Sequence, residues 1–205
     1  MPNWCYSEIE IEGGKKEIDN LYKRLEEWTS KNYCDNGFGE GWLGNLLIGS
    51  GINKPEDFDT NSQKETLRCR GQVISLSRDA NIIYINTETA WAPMIKMFDA
   101  ICKKYLSDYY LDFTSEESGW GIFCSTKEDF IGNYYIDYCG DNPNLESIYN
   151  ASEEEAVEWL QRLLKTDITN LDILIAMADD YSSKNEDDEF VSVHQWEEAF
   201  IEDFD

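Results

Sequence analysis

The chain has 205 residues, 41% of them hydrophobic and 14% aromatic, which is enough apolar material for a core and too much for a disordered chain. Lys and Arg number 17 against 42 Asp and Glu, a formal charge of −25 at pH 7 that repels nucleic acid and anionic membrane and attracts basic proteins. The opening Met1-Pro2-Asn3-Trp4-Cys5 lacks basic and apolar signal regions, and the longest purely apolar run, Ile173 to Ala178, is far short of the ~20 residues of a membrane span. The expectation is a cytoplasmic protein that binds neither membrane nor nucleic acid directly.

In chain order, Cys5 to Glu12 alternates Ser7, Ile9 and Ile11 with Glu8, Glu10 and Glu12, the period-2 pattern of a half-buried strand closed by Gly13-Gly14. Ile18, Leu21, Tyr22, Leu25 and Trp28 then fall at helical spacing and predict an amphipathic helix from Lys15 to Ser30. The glycine-rich stretch 31–66 reads as a long loop with short elements. Gln72 to Leu76 and Ile82 to Asn86 predict a hairpin, and Pro93 opens a helix carrying Met94, Met97, Phe98, Ile101 and Tyr105 on one face. Tyr109 to Phe113, Trp120 to Ser125 and Asn133 to Tyr138 read as three more strands. This order is that of a ferredoxin-like split βαβ unit, an α+β fold whose antiparallel sheet has two helices on one face and extra strands.

Charge divides the chain: residues 1–140 hold 23 acids and 14 bases, residues 141–205 hold 19 acids and 3 bases. The turn formers Asp141-Asn142-Pro143-Asn144 sit at that change, so a boundary is placed there between a ferredoxin-like domain (1–140) and an acidic helical C-terminal segment (141–205). Three short helices are predicted in the segment: one after the capping box Ser152-Glu153-Glu154-Glu155, one carrying Leu171, Leu174, Ala178 and Tyr181, and one from Ser192-Val193-His194-Gln195 into Trp196, Ala199 and Phe200.

Met1-Pro2-Asn3-Trp4-Cys5, Thr89-Ala90-Trp91-Ala92-Pro93 and Glu116-Glu117-Ser118-Gly119-Trp120-Gly121-Ile122-Phe123 together resemble the YubB-type ferredoxin-like family of phages and plasmids over residues 1–140. The resemblance implies a fold and a mobile-element origin, and brings no catalytic residues.

The chemical motifs read as structural. Gly39-Glu40-Gly41-Trp42-Leu43-Gly44 matches G-x-G-x-x-G but follows a poor strand, and a tryptophan fits badly in a phosphate cradle. The acidic run after Asp180 lacks the glycine and final glutamate of a calcium loop. His194 is the sole histidine, Glu116 and Glu117 read as an exposed hairpin tip, and the six cysteines, with no Cys-x₂₋₄-Cys pair, read as reduced and mostly buried thiols. No enzyme, cofactor or metal site is assigned.

Glu8, Glu10 and Glu12 repeat every ~6.8 Å along one strand face, matching only every second phosphate of a duplex strand. Magnitude carries more weight than spacing: solubility needs a net charge of only about 2–8 in a small domain. The expected function is a non-enzymatic phage or mobile-element counter-defence protein, of anti-CRISPR or anti-restriction type. It would bind a basic nucleic-acid-binding nuclease of the host through an acidic, DNA-mimicking surface and inhibit it. The alternative is an acidic accessory interaction module with no inhibitory role. The partner surface is placed on Glu186, Asp187, Asp188, Glu189, Trp196, Glu197, Glu198, Glu202, Asp203 and Asp205, where aromatics interleave with carboxylates.

Overall fold

The structure, a computed structural model, describes residues 3–35, 37–58, 67–184 and 189–204. The protein is α+β; the described residues form five α-helices and strands arranged in a six-stranded mixed sheet and a three-stranded sheet. Packing divides the chain into two units: residues 1–122 with 199–205, and residues 123–198. The sequence boundary at residue 140 follows the change in charge, whereas the packing boundary falls at residue 122 and the final residues belong with the first unit.

The first unit contains β1 (Trp4–Gly13), α1 (Lys15–Thr29), α2 (Leu43–Gly49), a 3-10 turn (Pro55–Phe58), β2 (Gly71–Asp79), β3 (Ile82–Ala90), α3 (Ile95–Tyr105) and β4 (Tyr109–Glu117). Its strands lie in the order β2-β3-β1-β4, every neighbour antiparallel. Register sets the two faces. Ile9 lies between Ile85 and Phe113, Ile11 between Ile83 and Leu111, and Ser7 between Thr87 and Ser115. These side chains are buried, and with them Ile18, Leu21, Leu25 and Trp28 of α1 and Ile95, Met97, Phe98, Ile101 and Cys102 of α3. The two helices lie side by side on this apolar face, with the rings of Trp28 and Tyr105 5.5 Å apart. In the last residues, Phe204 sets its ring edge-on to Phe113 at 5.6 Å.

The second unit follows β5 (Ile122–Ser125) with β6 (Tyr134–Cys139), β7 (Ile148–Ala151), α4 (Glu153–Leu164), α5 (Leu171–Lys184), β8 (Phe190–Gln195) and β9 (Glu197–Glu198). β6 is central in the order β7-β6-β8, and α4 and α5 close a core that includes Ile136, Trp159, Leu160, Leu174 and Val191. The capping box at Ser152 forms as the sequence predicts: its Oγ accepts from the Glu155 N–H, and the Glu155 carboxylate accepts from the Ser152 N–H at 2.9 Å.

The third predicted helix, from Ser192 to Phe200, is a correction. Ser192 to Gln195 are strand, paired residue by residue with β6 from Phe190 opposite Cys139 to Gln195 opposite Tyr134. Val191 and Val193 alternate with Ser192 and His194, and β-branched residues at period 2 fit a pleated surface better than a helix turn. A short 3-10 turn, Ile201–Asp203, follows.

Candidate functional site

The second face of the β2-β3-β1-β4 sheet is polar, and strand register aligns it in rows. Gln72, Glu88, Tyr6 and Glu116 form one row; Ser75, Asn86, Glu8 and Thr114 the next. Ser77, Tyr84, Glu10 and Asp112 follow, then Asp79, Ile82, Glu12 and Tyr110. Seven carboxylates share this face, and among the described residues none of the four strands places a lysine or arginine on it. The one basic residue of β2, Arg78, points the other way, where it pairs with Asp19 of α1. Glu8 and Glu12 are exposed and Glu10 half-buried, so the alternation of β1 read in the sequence does place its three glutamates on one face.

Aromatic side chains gather at one end of this face. Trp4 and Tyr6 on β1 are each nearly half exposed. The glycine-rich segment brings Phe38 and Trp42 alongside, their rings stacked at 5.4 Å. Buried Asn45 at the start of α2 pins that segment, accepting from the Tyr33 N–H at 3.1 Å and donating to the Gly39 carbonyl at 2.9 Å. The segment is also tied to the sheet edge, where the Val73 N–H donates to the Gly41 carbonyl at 2.9 Å. Trp4, Phe38, Trp42, Cys69, Arg70, Gly71, Gln72, Glu88 and Ala90 enclose a cavity of about 430 Å³. Gln72 donates to Glu88 at 3.1 Å and the Tyr6 hydroxyl donates to the same carboxylate, raising the Tyr6 pKa. A second aromatic pair stands near the chain's return to α3. Trp91, at φ 76°, meets Trp120 edge-on at 6.3 Å, and both indoles are exposed.

The motifs set aside in the sequence have structural explanations. In the glycine motif, the Trp42 ring lies where a Cβ on Gly44 would fall, only 2.3 Å away, so the ring fills the space a phosphate would need. Glu117 is buried rather than at an exposed tip: its carboxylate accepts from the N–H groups of Gly119 and Trp120 and builds the turn after β4. Glu116 lies on the opposite face of the strand. His194 sits on β8 with its ring stacked on Phe123 at 3.9 Å, and burial holds its pKa below the usual histidine range. Burial pushes the thiols of Cys5, Cys69 and Cys102 up to about 12, which keeps them protonated and poor nucleophiles.

Of the residues expected to grip a partner, Glu186, Asp187, Asp188 and Asp205 lie outside the described residues. Glu189 is partly exposed; Glu197 and Glu198 are exposed on β9, which pairs parallel with β5. Glu202 and Asp203 are exposed in the last 3-10 turn, where Asp203 accepts from the Phe200 N–H at 2.8 Å. Trp196 is 1% exposed, donates from Nε1 to the Tyr149 carbonyl at 2.9 Å, and packs against Phe130 and Tyr149. Trp196 is therefore packed within the second unit, while Glu202 and Asp203 belong to the first. The cavity and most of the acidic face carry no local motif, because they join residues from four strands and a loop.

Among known proteins, no family model matches this chain, and no curated protein matches it significantly.

Proposed function

We propose that this chain is a non-enzymatic counter-defence protein of a phage or other mobile element, binding a basic nucleic-acid-binding nuclease of the host and blocking its nucleic-acid channel. The observation that carries the reading is the polar sheet face, on which exposed Glu8, Glu12 and Asp79 and half-buried Glu88 lie together and, among the described residues, none of the four strands places a lysine or arginine. A surface of one sign focuses its field and steers an oppositely charged partner, at a cost in self-repulsion that solubility does not require. The β1-α1-β2-β3-α3-β4 order with strands β2-β3-β1-β4 supports assignment of the first unit to the ferredoxin-like class, and with it the YubB-type resemblance.

The test combines capture and activity. The chain and its Glu8→Gln/Glu10→Gln/Glu12→Gln variant are used to capture host nucleases, and each captured nuclease is assayed for DNA or RNA cleavage. Inhibition by the parent chain that falls at least tenfold with the variant supports the reading; inhibition indifferent to the three substitutions overturns it. Binding that leaves cleavage untouched favours the accessory-module alternative.

A further inference from the structure

We propose that the aromatic cavity at the end of the acidic face is a receptor for the guanidinium of an arginine side chain on a basic protein partner. The proposal rests on the reading of the open face as a surface for such a partner, and it names where that partner is held. The cavity's volume of about 430 Å³ lies within the range of built ligand sites, about 300–1,000 Å³. Its walls are the rings of Trp4, Phe38 and Trp42, and the Glu88 carboxylate is partly buried in its lining. Phe38 is 69% exposed. Its ring stacks on Trp42 on the loop that Asn45 pins, and it forms the exposed side of the cavity wall.

Charge selects the occupant. A neutral apolar group would cover Glu88 without compensating its charge, which is costly. An anion would meet Glu88 in the lining of a chain of net charge −25. A cation gains from the negative ring faces and from the carboxylate together. Glu88 accepts from Gln72 and Tyr6, and an ionised carboxylate offers about four acceptor positions, so capacity remains for a guanidinium fork. Arginine is favoured over lysine because its plane stacks on indole while its edge donates, and arginine is enriched among the residues that anchor protein interfaces. Arg70, the one cation in the lining, is an exposed side chain at the rim; its charge opposes a cationic guest and would favour an anionic one.

That opposition supplies the test. Capped peptides of equal length, one with spaced arginines and one with lysines in their place, are titrated into the ¹⁵N-labelled chain at low ionic strength. The indole N–H signals of Trp4 and Trp42, assigned by single Trp→Phe variants, are followed. The arginine peptide is expected to shift both signals and to bind several-fold more tightly than the lysine peptide. Glu88→Gln and Phe38→Ala should each weaken binding about tenfold, whereas Arg70→Gln should tighten it. Glu154→Gln, which removes the same charge from the exposed first turn of α4, should change it less than twofold. Equal effects of Glu88→Gln and Glu154→Gln, weaker binding on Arg70→Gln, or no shift with either peptide would each overturn the proposal. Phe38 and Glu154 are exposed, so loss of fold does not confuse the comparison, and unchanged melting of each variant checks this. The wider reading stands or falls separately, on nuclease inhibition by the β1 triple variant.

Discussion

Gly71 opens β2 at φ 141°, and a Cβ there would lie 2.1 Å from the Glu88 carbonyl and 2.7 Å from the Thr89 Cα. Both obstacles are backbone of the paired strand, so no rotamer change relieves them. Gly71→Ala should cost about 2–3 kcal/mol and disturb the cavity wall, read as a lowered melting temperature. His194 presents a different single-residue problem. Its neutral ring stacks on Phe123, and burial lowers its pKa although the carboxylates of Asp137 and Asp179 pull it upward. A histidine that takes up a proton more readily when unfolded favours the unfolded state as pH falls through its unfolded pKa of about 6.5. The stability it contributes is thus present above that pH and lost progressively below it. Melting curves of the parent chain and His194→Gln should diverge with acidification through this window; parallel curves would show that His194 is not responsible.

At the scale of elements, burial decides which sequence patterns hold. Trp28 is 3% exposed and Phe98 fully buried between helices and sheet, so truncation of either to Ala should cost ~3–5 kcal/mol in chemical denaturation. Ser152→Ala removes one half of the α4 capping box and should cost ~1 kcal/mol, a difference that vanishes if the cap is incidental. The strand of Cys5 to Glu12 and the helix of Ile18 to Trp28 were legible because one apolar periodicity in each matches one buried face. β8 was hidden because Ser192 to Gln195 mimics a capping box, while its strand signal rests on only two residues, Val191 and Val193, at period 2. α2 was hidden among glycines that serve the loop before it. The carboxylates of β1 were legible as a row; their neighbours Glu88, Asp112 and Glu116 were not, since strand order and register place them there. The cavity was the least legible, because Trp4 and Trp42 come to line one space only once the sheet is assembled.

For the whole molecule, a charge of −25 predicts two opposed effects of salt. Screening relieves self-repulsion, so the melting temperature of the free chain should rise as salt increases toward a Debye length of about 8 Å at physiological ionic strength. The same screening should slow association with a basic partner, visible as a falling on-rate. A free-chain melting temperature that falls over that range would mean that specific ion pairs outweigh the general field.

The chain leaves the first unit at residue 122 and rejoins it at residue 199, where Phe204 reaches Phe113. Where the second unit begins and ends, Cys124 pairs with Glu197, so its folding brings two points far apart in sequence side by side. Before it folds, docking of residues 199–204 must close a loop of the whole inserted segment, about four doublings longer than a tight turn and costlier by roughly 2 kcal/mol. Once folded, the second unit is a short tether that raises the effective concentration of the tail at its own site. A core mutation far from the tail, such as Trp159→Ala, should therefore increase hydrogen exchange at residues 201–204 as well as in the second unit.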